Sequence, residues 1–274
     1  MITKQNISNN IFKGFFIALG AVAEIIAFAL VFNLKIGFEF YLIVIAMALI
    51  IYLFDFSREY KYTNVKIINS FPPKLILYLT IFLLFAIYGV VIIKYGSLNS
   101  IIFSFILLVA GLSYDPFLKP ITKSIIGFKD IYVAICWNTL IILFILFYNY
   151  NFSFGIILFL VFVFSRDFVN ASFCDLKDLR SDAQKKLLTF AEVFNRDYFL
   201  RLLQILNVIS AVILLIGIVI KFIPFIGISL LIPIIFTAFF IEYSKRKRFF
   251  SSYFVDLEYF IWLISVLFFK YLIL

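Results

Sequence analysis

Apolar residues run through this chain in blocks of about 17–25, the length at which a helix crosses the hydrocarbon core of a bilayer. Nine such blocks can be delimited, at about 12–33, 38–56, 74–94, 98–114, 129–149, 153–174, 198–221, 223–243 and 254–273. The breaks between them are short. They fall at Pro72-Pro73, Gly96, Pro116 and Pro120, Asn149 to Asn151, Pro224 and the run Lys245-Arg246-Lys247-Arg248. Blocks seven and eight are separated only by Lys221 and Pro224. Lipid offers no hydrogen-bond partner to the backbone, so each block is predicted as a helix that satisfies its own N–H and C=O groups. The pattern predicts an all-α, polytopic membrane protein with nine transmembrane helices.

Composition strengthens this reading. Of the 274 residues 65% are hydrophobic and 14% charged, against roughly 45–50% and about 25% in a soluble domain. The 39 Phe and 16 Tyr fit a pocket for a greasy or cationic ligand, or simply an AT-rich coding sequence, which the abundant Ile, Lys and Asn favour. The absence of His excludes His-based acid–base chemistry and a His-ligated zinc site. Cys136 and Cys174 are lone thiols in or beside apolar runs and imply no disulfide framework. The polar start, Met1 to Asn10, leads into a long apolar run without a convincing cleavage site.

Charge sets an orientation. With the N-terminus and the loops after spans two, four, six and eight on one side, 20 of the 24 Lys and Arg fall there; only Lys35, Lys94, Lys221 and Lys270 fall on the other. The positive-inside rule then places the N-terminus in the cytoplasm and the C-terminus outside. The basic excess is read as this topology signal, and no nucleic-acid partner is expected.

Two polar clusters interrupt the apolar pattern at the cytoplasmic level. In Asp175-Leu-Lys-Asp178-Leu-Arg-Ser-Asp182 three carboxylates stand at i, i+3 and i+7, on one face of a helix. Like charges stacked this way repel by a few tenths of a kcal/mol per pair, and a cation between them reverses the sign. Mg²⁺ suits such oxygens, held by one or two carboxylates plus substrate phosphates; a solvated helix end with interleaved Lys177 and Arg180 is the plainer reading. Span two ends Phe54-Asp55-Phe56-Ser57-Arg58-Glu59, a second carboxylate pair at i and i+4. Two acidic pairs at one membrane depth favour a shared metal site over surface charge. Lys119, Lys123, Lys129 and Arg166 lie at the same level. Carboxylates, Mg²⁺ and Lys or Arg together suit a diphosphate, and a diphosphate head with a tail in the membrane is an isoprenyl diphosphate. Glu24 lies deep in span one, where a carboxylate is either functional or protonated and hydrogen-bonded.

These residues resemble the UbiA superfamily of intramembrane prenyltransferases. Asp175 to Asp182, followed by Leu188-Thr189-Phe190, is similar to that family's second aspartate motif, approximately D-x-R-D-x-x-G-D. Tyr114-Asp115-Pro116-Phe117-Leu118-Lys119, with Gly127-Phe128-Lys129-Asp130 and Trp137, is similar to its connection between spans four and five. The first motif departs from the usual N-D-x-x-D-x-x-x-D: Asp55 is kept, Glu59 comes one place late, and Tyr62 or Thr63 replaces the third acid. In the second, Ser181 replaces the usual Gly and Leu188 a common Lys.

The resemblance implies one UbiA-like transmembrane domain over 1–274, a ring of nine helices around a central cavity, with cytoplasmic cap loops at about 57–73 and 175–197. It implies that Asp55, Glu59, Asp175, Asp178 and Asp182 hold Mg²⁺, with Asp55, Asp175 and Asp178 as the catalytic acids. Arg58, Lys119, Lys129, Arg166 and Asn170 would bind the diphosphate. The implied reaction is Mg²⁺-dependent ionisation of an isoprenyl diphosphate within the bilayer, followed by prenyl transfer to a hydrophobic acceptor. The alternative is cyclisation on the substrate's own double bond, as in UbiA-type terpene cyclases. A transporter or a non-catalytic lipid-binding protein is the reading from another class. Asp175–Asp182 lacks the Gly and the spaced acids of a CDP-alcohol phosphotransferase.

Overall fold

The computed structural model describes residues 4–62, 71–246 and 253–272, and within them the side chains of residues 4–11, 59–62, 71–74, 178, 180, 181, 246, 253 and 254 lie outside what is described. Among the described residues the regular structure is helical. The long helices are α1 (Lys4–Val31), α2 (Phe38–Tyr62), α3 (Phe71–Tyr95), α4 (Leu98–Ser113), α5 (Phe128–Phe147), α6 (Phe154–Lys185), α7 (Arg196–Val219), α8 (Leu231–Arg246) and α9 (Tyr253–Leu272). Among the described residues eight stretches, following α1 to α8 and including the short turns that adjoin α4 and α8, are long and apolar enough to cross a membrane. The ninth predicted span, α9, is also a 20-residue helix, but it carries Asp256, Glu258 and Lys270. Of these, Glu258 points inward and is 1% exposed.

Helix ends follow local chemistry. Ser97 and Ser153 cap α4 and α6, their hydroxyls accepting from the amides of Ser100 and Ile156. The breaks after α1 and α5 are turned by Asn33 and Asn149 at φ 52° and 53°, a left-handed conformation that Asn tolerates. Both acidic clusters stand on helices, as their spacing predicts: α2 continues to Tyr62 and α6 to Lys185, so the first parts of the expected cap loops 57–73 and 175–197 are helical. A helix of 32 residues is about 48 Å long at 1.5 Å per residue. This exceeds the ~30 Å hydrocarbon core, so α6 carries its acidic face out of the bilayer.

Neighbour packing closes a ring: α1 packs on α2 and α9, α2 on α3 and α4, α4 on α5, α5 on α6, α6 on α7, α7 on α8, and α8 on α9. Lipid is as apolar as a Leu side chain, so burial alone does not drive these helices together; close packing and polar contacts do. Helix α1 shows the first device. Ala18, Ala21, Ala27 and Ala29 are all but fully buried, and a Cβ at Gly14 would collide with the Tyr52 ring. Small residues let α2 and α9 approach α1 closely. In the half of the ring away from the acidic motif, aromatic rings fill the interior. Phe28 meets Phe144 edge-on at 5.8 Å and Phe159 at 5.5 Å, joining α1 to α5 and α6. Helix α3 is the outlier. Its Ile76, Leu79, Phe82, Leu83, Val90 and Ile93 are exposed, as a lipid-facing helix requires.

Candidate active site

The acidic face of α6 meets a lysine from α5. Lys129 Nζ lies 2.6 Å from Asp175 Oδ1 and 3.2 Å from Asp182 Oδ2. Asp175 and Asp182 are 2% and 4% exposed, so this is not a solvated helix end. Asp130, next to Lys129 and equally buried, faces Asp175 and Ser172, and Asp175 Oδ2 accepts no hydrogen bond from a donor among the described residues. Three buried acids therefore share one ammonium, and like charges held together out of water disfavour one another.

A local break in α4 builds the opposite bank. Pro116 has no N–H to donate, and residues Tyr114–Leu118 form a π-helical turn before the chain resumes as helix at Lys119–Thr122. Such bulges often mark functional positions. Here the turn presents Asp115 to two bases: Arg58 Nε of α2 at 3.2 Å and Lys119 Nζ at 2.5 Å. Asp55 lies one turn before Arg58 on the same helix.

The loop that follows is pinned to the chain beyond α6. The Leu188 amide donates to Thr122 O at 2.9 Å, and the Gly127 amide to Leu188 O at 2.8 Å. Gly127 has φ 69° and starts α5 two residues before Lys129. A Cβ there would strike the Phe190 ring. Gly127→Ala therefore combines a left-handed backbone with a clash. The expected result is a loss of about 1–3 kcal/mol, read as a lower melting temperature in detergent, with the Lys129 contacts displaced.

Two predicted diphosphate ligands make their hydrogen bonds to other helices. Arg166 is fully buried and lies nine residues, about 13 Å along the helix axis, before Asp175. Its Nε and Nη2 donate to Glu258 Oε1 at 2.8 and 2.5 Å, Nη2 to Thr237 Oγ1 at 2.9 Å, and Nη1 to Asn207 Oδ1 and, at 3.4 Å, Ser210 Oγ. Thr237 and Trp262 donate to Glu258 in turn. Its fork is thus engaged in joining α6 to α7, α8 and α9. Asn170 Nδ2 donates to Val255 O at 3.1 Å, a second tie to α9. Glu24 faces Asp167 and Glu258 from α1, while Tyr259 donates to Asp167 at 2.9 Å and stacks on Trp137 at 5.3 Å. Helices α5 and α9 are not neighbours in the ring, so the Trp137–Tyr259 stack crosses its interior.

Asp55, Arg58, Lys119, Lys129, Asp175 and Asp182 thus cluster at one end of the bundle; the side chains of Glu59 and Asp178 lie outside the described set. Asp115 and Asp130 join the cluster although the acidic-motif pattern alone did not single them out. Both stand in the segment whose resemblance to the family's connection between spans four and five was the signal that could have found them. Among the described residues no three acids converge on one point as a complete metal cage. The Lys129 ammonium holds the place of a cation bridging Asp175 and Asp182, and an orphaned Asp175 oxygen adjoins it. This donor set fits Mg²⁺, which takes one or two carboxylates and leaves the rest of its shell to substrate phosphates.

No protein-family model and no curated protein matches the sequence. The fold is similar to the apo structure of a UbiA homolog from Aeropyrum pernix K1, with a TM-score of 0.62 over 95% of this chain and 97% of that one at 12% sequence identity. The chain is an all-helical, multi-pass membrane protein with the UbiA fold.

Proposed function

We propose that this protein is a UbiA-superfamily enzyme that ionises an isoprenyl diphosphate and transfers the prenyl group to a hydrophobic acceptor. One observation supports this above the rest: at one end of a UbiA fold every base of the cluster is held by an acid. Lys129 is held by Asp175 and Asp182, and Lys119 and Arg58 by Asp115. These bases are already engaged by protein carboxylates, and substrate binding is an exchange of partners. The diphosphate takes Lys119, Lys129 and Arg58, each able to form short charge-assisted bonds to phosphate oxygens. Asp175, Asp182 and Asp55, with Asp178 and Glu59, would then hold Mg²⁺. The bound metal would supply Lewis-acid stabilisation of charge on the departing diphosphate.

The bases hold the head group so that the allylic carbon enters the apolar interior, and burial keeps water from capturing the cation. The Trp137–Tyr259 stack supports cyclisation as the second reading, because aromatic faces stabilise a carbocation by about 0.5–2 kcal/mol each. The test is purified protein with Mg²⁺ and geranyl, farnesyl or geranylgeranyl diphosphate. Pyrophosphate release only when an acceptor is added is the expected result. A cyclic hydrocarbon or alcohol formed without acceptor would assign cyclisation. No release under either condition would leave a lipid-binding or transport role.

A further inference from the structure

A second polar layer lies inside the ring, below the head-group cluster. Asp167 comes eight residues before Asp175 on α6, and Trp137 eight residues after Lys129 on α5. Both therefore sit about 12 Å along their helices from the cluster, at 1.5 Å per residue. Glu24 of α1 and Tyr259 of α9 reach the same layer. Its charges do not balance. Glu24, Asp167 and Glu258 face one another there, and among the described residues Arg166 is the base that meets them, salt-bridged to Glu258. Glu258 is satisfied by Arg166, Thr237 and Trp262. Asp167 spends Oδ1 on the Tyr259 hydroxyl. Its Oδ2 and both oxygens of Glu24 accept nothing from a donor among the described residues, although Glu24 is 1% and Asp167 2% exposed. Burying acceptors without donors is costly. Three such oxygens gathered out of water call for a ligand that brings donors.

We propose that Glu24 and Asp167 bind the acceptor of the prenyl group and select one that carries an N–H or O–H donor and no acid group. The assignment deepens the function proposed above and rests on it. With the diphosphate at Arg58, Lys119 and Lys129, the allylic carbon that follows it lies between the two layers. An acceptor held by its donor at Glu24 and Asp167 presents its nucleophilic end to that carbon. The Trp137–Tyr259 stack, 5.3 Å between centroids and 7° from parallel, gives the layer a flat wall suited to an aromatic ring. Charge decides against an anionic acceptor. It would bring a further negative group into a low-dielectric site that already holds three acids and one arginine, where like charges are felt strongly. A hydroxyl or an ammonium supplies what the unmatched oxygens lack, and the ammonium adds favourable charge. A site built to bond such a donor also rejects the analogue without it, because its own buried oxygens are then left unpaired.

The test uses the full chain in nanodiscs, with and without Mg²⁺ and inorganic pyrophosphate. The probes are 4-hydroxybenzylamine, 4-hydroxybenzyl alcohol and 4-hydroxybenzoate, which share a ring and are cationic, neutral and anionic at neutral pH. The amine and the alcohol are expected to bind at least tenfold more tightly than the benzoate. Tighter binding of the amine assigns an ammonium group to the acceptor, and tighter binding of the alcohol a hydroxyl. Glu24→Gln keeps the size of the side chain and removes its charge. It should cut the preference at least fivefold and leave Mg²⁺-dependent pyrophosphate binding within twofold, whereas a packing defect would weaken all the probes alike. Glu192→Gln, at an exposed position, should change nothing. The wild-type ranking needs no variant, so it decides the matter even if Glu24→Gln fails to fold. Benzoate bound as tightly as the amine and the alcohol, or a preference unchanged in folded Glu24→Gln, would overturn the assignment. Binding of pyrophosphate with Mg²⁺ but of none of the probes would overturn it too and leave the diphosphate site standing. Probes ranked as expected without any pyrophosphate binding would instead remove the function beneath it, and the acceptor role with it.

Discussion

Asp175→Asn is expected to lower turnover of an isoprenyl diphosphate by about 10²–10⁴-fold while the helical fold survives. The substitution keeps the size of the side chain and removes one charge. If Asp175 holds the metal that draws charge off the leaving group, several kcal/mol of stabilisation are at stake, and each ~1.4 kcal/mol is a factor of ten. The fold is exposed to much smaller forces. Lys129 loses its 2.6 Å partner but keeps Asp182 at 3.2 Å, and the repulsion between Asp175 and the neighbouring Asp130 falls away. Asp197→Asn is the control, since Asp197 is exposed at the start of α7, outside the cluster. Initial rates of pyrophosphate release, with melting temperatures alongside, separate a chemical defect from a folding one. A loss under threefold at Asp175 would show that its carboxylate takes no part in the chemistry.

Glu258→Ala is the corresponding blow to the fold. It strips the fully buried Arg166 of the carboxylate that salt-bridges it, and breaking a buried pair from one side costs about 3–5 kcal/mol, because a poorly compensated charge is left behind. The membrane interior raises the stakes, since water cannot easily reach the orphan. Replacing both partners, as Arg166→Met with Glu258→Leu, should recover most of that loss, for no charge then remains. Denaturant titrations of the purified protein in micelles measure both. Equal losses in the single and double variants would mean that Arg166 is stabilised chiefly by Asn207, Thr237 and Ser210 rather than by Glu258.

These two variants also mark what was legible in the chain. The helices were readable because lipid-crossing length leaves a coarse signal, and the breaks at Asn33 and Asn149 coincide with real turns. The acidic face was readable because Asp175 and Asp182 lie on one helix, where spacing in sequence is spacing in space. Arg166 was misjudged for the opposite reason. A base near the end of an apolar block reads as an interfacial charge, and nothing nearby reveals that its carboxylate partner lies 92 residues further on. Asp115 was marked only as part of the segment between spans four and five, because its pairing with Arg58 and Lys119 depends on a π-helical turn.

The most direct measurement is a thermal-shift titration of the wild type and Asp175→Asn with Mg²⁺, a non-hydrolysable diphosphate analogue, and both together. A ligand that binds only the folded protein stabilises it by RT ln(1 + [L]/Kd), about 2.7 kcal/mol at a hundredfold excess over Kd. If the acids and bases of the cluster exchange partners as proposed, Mg²⁺ and the analogue together should raise the wild-type melting temperature well beyond the sum of their separate effects, and Asp175→Asn should show little of this gain. Equal stabilisation of the two proteins, or no synergy between metal and diphosphate in the wild type, would contradict a metal–diphosphate site at Asp175.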